Sequence, residues 1–125
     1  MTPAPTRERL PDTRKSLTHK AVIDGGQGPV SVFLTAGFYN DGRVGEVFIQ
    51  IGRVGSTMRG LIDDFARLLS YALQYGVPLD ELAEKFRGAN YPPQGTTNNA
   101  ELPTCTSITD YVLRWLRSID RTEAD

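Results

Sequence analysis

The spacing of apolar residues changes once along this chain, between residues 51 and 57, and that change constrains the fold most. Before it, apolar and polar residues alternate, as in a half-buried strand; after it, apolar residues recur every three or four positions, as on one face of a helix. Strands that precede helices in this way are typical of α+β proteins. We therefore predict an α+β fold, a small antiparallel sheet (meander) with three helices packed on one face.

Two glycine-containing turns divide the first half into three predicted strands, over residues 17–24, 30–39 and 43–51. The first turn reads GGQG and the second reads NDG. Asp-Gly tolerates the positive φ angles of tight hairpin turns. Connections this short join neighbouring antiparallel strands, so the three strands form a meander.

Three helical segments are predicted in the second half. The first covers residues 57–75 and ends at Gly76, and a shorter one starts at Pro78 and ends at Gly88. The last begins near Ser107, where Ser107 and Asp110 resemble a capping box. The apolar stripe of the first helix consists of Met58, Leu61, Ile62, Phe65, Leu68, Leu69, Ala72 and Leu73.

The length of 125 residues suits one domain with its own core. Residues 1–16 contain three prolines and several charges and are predicted to be a flexible N-terminal arm. Residues 17–120 form the single predicted domain, and residues 121–125 a polar tail.

Charge and cysteine content exclude several functions. With 14 Lys and Arg against 15 Asp and Glu, the chain lacks the basic excess that binding to duplex nucleic acid requires. A small anionic ligand held by a few arginines remains compatible. Cys105 is the only cysteine, which excludes an intrachain disulfide and a cysteine-based zinc site. Residues 1–9 lack the apolar core of a signal peptide and no segment is suited to a membrane, so we predict a cytoplasmic protein. We also predict that it has no metal and no cofactor.

The stretch GRVGST, which joins the third strand to the first helix, is the first candidate binding site. The glycines allow close backbone approach to a ligand, and free N–H groups at a helix start attract phosphate. The predicted contacts here are Arg53, Gly55, Ser56, Thr57 and Arg59. The alternative is an ordinary helix start, with Ser56 or Thr57 as the N-cap.

The second candidate is the segment 89–103, predicted to be a long loop rich in amides and hydroxyls. Its aromatic ring could stack on a base, and its amides could bind polar base edges or ribose. Alternatively, these side chains satisfy the backbone of the loop. The predicted contacts are Asn90, Tyr91, Thr97, Asn98 and Asn99.

A few single residues complete the candidates. Arg114 falls off the apolar stripe of the last helix, so it faces solvent, a partner chain or a ligand. His19 is interpreted as a bystander, and Cys105 would be reactive only at the N-terminus of the last helix. Phe33 and Phe48 fall opposite the inward alternation of their strands. Exposed aromatic residues of this kind indicate self-association or a partner, and we predict a homo-oligomer, a dimer or larger.

Four segments resemble the C-terminal, TSCPD-type domain of adenosylcobalamin-dependent (class II) ribonucleotide reductases. The most specific motifs are GST, LQYGVPLDEL and DYVLRWL, at residues 55–57, 73–82 and 110–116. The resemblance covers nearly the whole chain, over residues 10–20, 37–57, 60–86 and 96–116.

The resemblance implies a fold and a ligand surface rather than reductase activity of the chain alone. In those enzymes the radical cysteine, the substrate site and the cobalamin site belong to a large barrel domain. The sequence also stops after the final helix, without the cysteine-bearing tail that many family members carry. No catalytic residue is therefore carried over to this chain.

Two functions follow as expectations. The first is a non-catalytic, oligomeric protein that binds a small nucleotide-like anion, such as a phage anti-defence sponge for a cyclic nucleotide or ADP-ribose-derived signal. The second is an accessory subunit or C-terminal domain of an adenosylcobalamin-dependent ribonucleotide reductase.

Overall fold

The computed structural model describes residues 4–52 and 54–121 and has five strands and three helices in that part of the chain. Residues 122–125 of the predicted tail and residues 1–3 of the predicted arm lie outside the described residues. In chain order the elements are β1 (Ser16–Asp24), β2 (Pro29–Phe38), β3 (Val44–Ile51), α1 (Ser56–Gln74), α2 (Leu79–Lys85), β4 (Gly95–Thr97), β5 (Thr104–Cys105) and α3 (Ile108–Ile119).

The five strands form one antiparallel sheet in the order β3-β2-β1-β4-β5, so the predicted α+β fold is confirmed. The predicted meander forms its larger part. β4 lies inside the segment 89–103, which the sequence predicts as loop, and pairs with the end of β1 through Ile23 and Thr97. β5 pairs with β4 in turn. Three-residue and two-residue strands carry too little alternation to be recognised before their partner is known.

The core lies between the sheet and the helices. The inward residues of the three long strands alternate as predicted, and α3 contributes its apolar stripe to the same cluster. Leu34, Val112 and Leu116 are completely buried there. In α1 the buried face is narrower than the predicted stripe, because Leu61 and Leu68 point away from the core and are exposed.

Helix α1 covers the outer edge of β3 with two polar side chains. Ser70 Oγ accepts a hydrogen bond from the Val47 amide at 2.9 Å, and Gln74 Nε2 donates to the Gly45 carbonyl at 3.0 Å. An edge strand has unpaired backbone groups that favour association with another strand. These two bonds satisfy part of that edge inside the fold.

The helix boundaries follow from local chemistry. Gly76 takes φ +90°, and the Val77 amide donates to the Ala72 carbonyl, an arrangement that ends α1 as predicted. Ser107 is the predicted cap of α3, since its Oγ accepts from the Asp110 amide at 3.0 Å. The Asp110 carboxylate in turn accepts from the amide of Thr106 at 3.1 Å.

The N-terminal segment from residue 4 to residue 15 has no helix or strand and lies against the domain. The Glu8 carbonyl accepts from Tyr39 Oη at 2.5 Å, and the Glu8 amide donates to the carbonyl of Gln74 at 2.8 Å. Arg14 forms two hydrogen bonds with the carboxylate of Glu46, the shorter at 2.5 Å. Glu46 is 9% exposed, so Arg14 neutralises a nearly buried charge.

Within the described ranges, none of the helices has the length and apolar composition needed to cross a bilayer.

Candidate functional site

Two of the predicted residues at the start of α1, Ser56 and Arg59, line an open groove at the end of β3. The groove has a volume of about 590 Å³, and the carboxylate of Asp63 also lines it. Arg59 Nη2 donates to the Val54 carbonyl at 3.3 Å, and its side chain is exposed. Arg53 lies outside the described residues.

The start of α1 differs from the alternative that the sequence offered. Neither Ser56 nor Thr57 is the N-cap; Gly55 occupies that position, with φ −66° and ψ 165°, and no side chain accepts a hydrogen bond from the first turn. A glycine cap leaves these amides open to water or a ligand, because it has no side-chain oxygen. The bare helix start is therefore compatible with the predicted anion contact.

Asn98 bonds with the sheet rather than facing a free cleft. Its Oδ1 accepts from the Val22 amide at 2.8 Å, and its Nδ2 donates to the Lys20 carbonyl at 3.0 Å. The Asn98 backbone amide also donates to the carbonyl of Val22, at 3.2 Å. The Asn98 side chain thus makes hydrogen bonds to β1 beyond the end of the short β4, whose pairing with β1 ends at Thr97.

The other loop candidates also have partners inside the fold. Tyr91 Oη donates to Thr109 Oγ1 at 3.0 Å, and Asn90 Oδ1 accepts from Gln94 Nε2 at 2.8 Å. Thr97 Oγ1 donates to the Leu102 carbonyl at 2.5 Å. In this segment the structure favours the alternative in which the side chains satisfy the backbone and one another.

Arg114 is paired rather than free. Its Nε and Nη2 atoms bond both carboxylate oxygens of Asp110, at 3.2 and 2.9 Å, and Nη2 also donates to the Thr104 carbonyl at 2.6 Å. The side chain borders a hollow of about 290 Å³ that includes Phe86 and Arg117. This hollow is distinct from the groove at Arg59, so the predicted residues form separate patches rather than one pocket.

A polar cluster between β1 and α3 was not recognised as a group from the sequence. His19 Nε2 lies 2.7 Å from Tyr111 Oη, which also accepts from Asn99 Nδ2 at 3.1 Å. The His19 ring stacks on Trp115 with centroids 5.4 Å apart. Burial lowers the pKa of His19 and raises that of Tyr111. The three polar residues are far apart in sequence, which explains why local patterns did not reveal them.

Cys105 lies in β5, two residues before the cap of α3, and is buried. Burial, followed by the negative charge of Asp110, raises the pKa of its thiol. A thiolate is the reactive form of cysteine, so both effects disfavour nucleophilic or redox chemistry at this residue.

The outer face of the sheet has an exposed aromatic pair, as predicted. Phe33 in β2 is 42% exposed and Phe48 in β3 is 56% exposed. Phe33 pairs with Gln50 and Phe48 with Thr35, so the two rings are diagonal neighbours on adjacent strands. Lys20 Nζ lies 5.7 Å from the centre of the Phe33 ring. We call Lys20, Phe33 and Phe48 the outer-sheet surface.

Comparison with known proteins assigns the fold to a family, because the family model described as the TSCPD domain matches residues 3–119. The chain belongs to the TSCPD domain family. The resemblance stated from the sequence motifs is therefore confirmed.

Several relatives of this TSCPD chain are named vitamin B12-dependent ribonucleotide reductase. The protein of Rhodopirellula baltica is 48% identical over 90% of the chain, which corresponds to 10% of that protein. The protein of Bradyrhizobium diazoefficiens is 44% identical over 88% of the chain and 8% of its own length. That of Streptantibioticus cattleyicolor is 38% identical over 90% of the chain and 18% of its length. The chain thus spans less than a fifth of these relatives, and no solved structure matches it.

Proposed function

We propose that this chain is the TSCPD module of a vitamin B12-dependent ribonucleotide reductase and that it acts by binding to the remainder of that enzyme. The observation that supports this most is the match with the reductase of Rhodopirellula baltica, 48% identical over 90% of the chain. The similarity extends through nearly all of the fold, so the same module is present within a much longer reductase.

The residues of this chain suit a binding role better than a reacting one. Cys105 is buried with a raised thiol pKa. His19 does not fit the role of a ligand to a cobalamin, because its ring stacks on Trp115 and its Nε2 bonds with the hydroxyl of Tyr111. The cobalamin and the reacting groups therefore belong to the remainder of the enzyme in this proposal.

The outer-sheet surface is the proposed contact with the reductase. Two exposed aromatic rings lie on adjacent strands as diagonal neighbours, and exposed apolar clusters on soluble proteins commonly mark interfaces. Aromatic residues are also enriched at the centres of such interfaces. The ammonium of Lys20 beside Phe33 favours a partner that brings a carboxylate to the edge of the patch.

A direct test uses the Rhodopirellula baltica reductase from which the region matching this chain has been deleted. The separate chain is added, binding is measured by calorimetry, and deoxyribonucleotide formation is measured with and without it. We expect binding, and a reductase activity that depends on the added chain.

Matched variants locate the contact. Phe48→Asp should weaken binding at least about tenfold, because it places a charge in an apolar interface. Leu68→Asp, which alters an exposed leucine of α1, should leave binding unchanged. The proposed function is refuted if the added chain neither binds the shortened reductase nor restores its activity, and if a covalent graft of the chain does not restore activity either.

The groove beside Ser56 and Arg59 supports a second candidate, the sequestration of a nucleotide-like anion. Its size and its uncapped helix start suit a phosphate-bearing ligand. Titration with nucleoside triphosphates, cyclic oligonucleotides and cyclic ADP-ribose isomers tests it. We expect tight binding, recovery of the intact ligand and weaker binding for Arg59→Ala. Arg87→Ala is the control, because Arg87 bonds with Glu84 and lines a different hollow. Absence of binding across this set would exclude the candidate.

A further inference from the structure

Helix α1 has a second apolar face that the described chain covers only in part, through the contact of Phe65 with Phe86. Its residues follow the alternating four-three spacing of a coiled-coil seam. Leu61 and Leu68 are 65% and 73% exposed, Tyr75 is 42% exposed, and Phe65 and Ala72 are half-buried. We call Leu61, Phe65, Leu68, Ala72 and Tyr75 the α1 seam.

The seam lies beside the buried face of the same helix, which includes Ile62, Ala66 and Leu69. A helix that is apolar on more than one face is normally covered on each of them in the assembled protein. The seam continues onto α2, because Phe65 meets Phe86 edge-to-face with centroids 6.3 Å apart, and Phe86 is itself exposed. A single apolar surface therefore extends over two helices.

We propose that the α1 seam binds the α1 seam of a second copy of this chain in antiparallel orientation, forming a two-fold dimer. The four-three spacing defines two alternating positions along the seam. In an antiparallel coiled coil, a residue at the first of these positions packs against a residue at the second position of the partner helix. The spacing then sets Phe65 against Leu68 of the second copy and Leu61 against Ala72. Because the dimer is two-fold symmetric, each of these two pairs occurs twice in the interface.

The sizes of these side chains favour the antiparallel pairing. A parallel pairing would place Phe65 against Phe65 and Ala72 against Ala72, which overfills one layer and leaves a void in the other. The antiparallel register sets a large side chain against a medium one and a medium one against the small Ala72. The summed volume is therefore more even along the interface.

Charge complementarity favours the same arrangement. The last two turns of α1, residues 68–75, contain no charged residue. Asp64 borders the seam in the first half of the helix, and the antiparallel register brings it opposite Tyr71 of a second copy. A tyrosine hydroxyl can donate to a carboxylate, and the Arg7 guanidinium lies 4.5 Å from the centre of the Tyr71 ring, so in the dimer each Asp64 faces the end of the partner helix that has this positive charge. The antiparallel helix dipoles add a small favourable contribution.

The first experiment measures molar mass by light scattering against concentration. The wild-type chain should shift from monomer to dimer mass as concentration rises, and Leu68→Asp should stay monomeric with an unchanged circular dichroism spectrum. Phe48→Asp, on the opposite side of the molecule, is the matched control and should dimerise like the wild type. Because the two variants alter different surfaces, failure of the dimer and failure of reductase binding are distinguishable.

A second experiment tests the register by disulfide formation under mild oxidation. The double variant Leu61→Cys, Ala72→Cys should give a cross-linked dimer, whereas each single variant should not. The two positions are 11 residues apart on one helix, about 16 Å along its axis, so they cannot join within one chain. Cys105 is buried and does not compete.

Each outcome decides for or against the proposal. Cross-linking of the double variant alone, with dimer loss in Leu68→Asp, supports it. Rapid cross-linking of Leu61→Cys by itself would show a parallel pairing and overturn the register. If the wild type stays monomeric at a chain concentration of about 1 mM, even a dimer with a millimolar Kd is excluded and the proposal is overturned. Protection of the seam by the reductase, with no dimer, would assign the surface to that partner instead.

Discussion

Replacement of Asn98 by alanine distinguishes a ligand-binding amide from a structural one. The structure gives this side chain two hydrogen bonds with the backbone of β1, to the Val22 amide at 2.8 Å and to the Lys20 carbonyl at 3.0 Å. Alanine removes both bonds but keeps the backbone bond from residue 98 to Val22. The variant should therefore lose stability while retaining the fold.

The expected magnitude follows from the number and exposure of the bonds. A typical hydrogen bond contributes a net 0.5–1.5 kcal/mol, and water can replace part of each bond because Asn98 is exposed. We expect the free energy of unfolding to fall by about 1–2 kcal/mol, with a decrease in Tm of roughly 4–8 °C. Asn98→Asp keeps the acceptor for Val22 but places a carboxylate oxygen against the carbonyl oxygen of Lys20, so we expect a loss of similar size.

Urea denaturation followed by circular dichroism measures this loss, and an unchanged m-value shows that both variants unfold from the same compact state. Asn90→Ala is the matched control, because the Asn90 side chain bonds, among the described residues, with Gln94 of the same segment. A loss below about 0.3 kcal/mol for Asn98→Ala, less than one net hydrogen bond, would refute the structural role. The amide would then be available to a ligand, as the sequence interpretation proposed.

Three further predictions concern other parts of the fold. Gly37→Ala should destabilise the protein by about 1–3 kcal/mol in urea denaturation, because the added Cβ would overlap the Glu46 carboxylate and displace it from Arg14. Wild-type stability of this variant would contradict the prediction. Burial lowers the pKa of His19 from its ordinary value of 6.5. At a pH between the pKa of His19 in the folded chain and 6.5, the unfolded chain therefore binds a proton that the folded chain does not. The free energy of unfolding should fall as pH drops below 6.5, and a His19→Gln variant with the same pH slope would exclude His19 as the cause. Cys105 should react with Ellman's reagent only after unfolding, because it is buried with a raised pKa; rapid labelling of the native protein would show that β5 opens.

The predictions that held depend on neighbours within a few residues. Ser107 and Asp110 are three positions apart, so their capping bond is visible in the sequence. The same holds for Gly76, whose positive φ ends α1. The alternation of Phe33 and Phe48 opposite the inward residues also follows from the two-residue period of a strand.

Among the candidate binding residues, those whose partners are distant in sequence were less predictable. Asn98 bonds with Val22 and Lys20, which lie 76 and 78 positions away in β1, so no local pattern shows these bonds. Arg114 bonds with Asp110 one helical turn before it, a spacing that is visible in the sequence, and with the carbonyl of Thr104. Arg59 keeps an exposed guanidinium, and among the described residues its hydrogen bond is to the carbonyl of Val54.

The sequence by itself determined the three long strands, the three helices, most of their ends and the family, because periodicity, turn chemistry and capping act over short distances. Only the tertiary structure decided that β4 joins β1, that Asn98 extends this pairing, and which part of the wide apolar stripe of α1 is buried. The physical reason is that burial depends on what packs against a surface. An apolar residue such as Leu68 has the same local pattern whether it faces its own core or a second molecule.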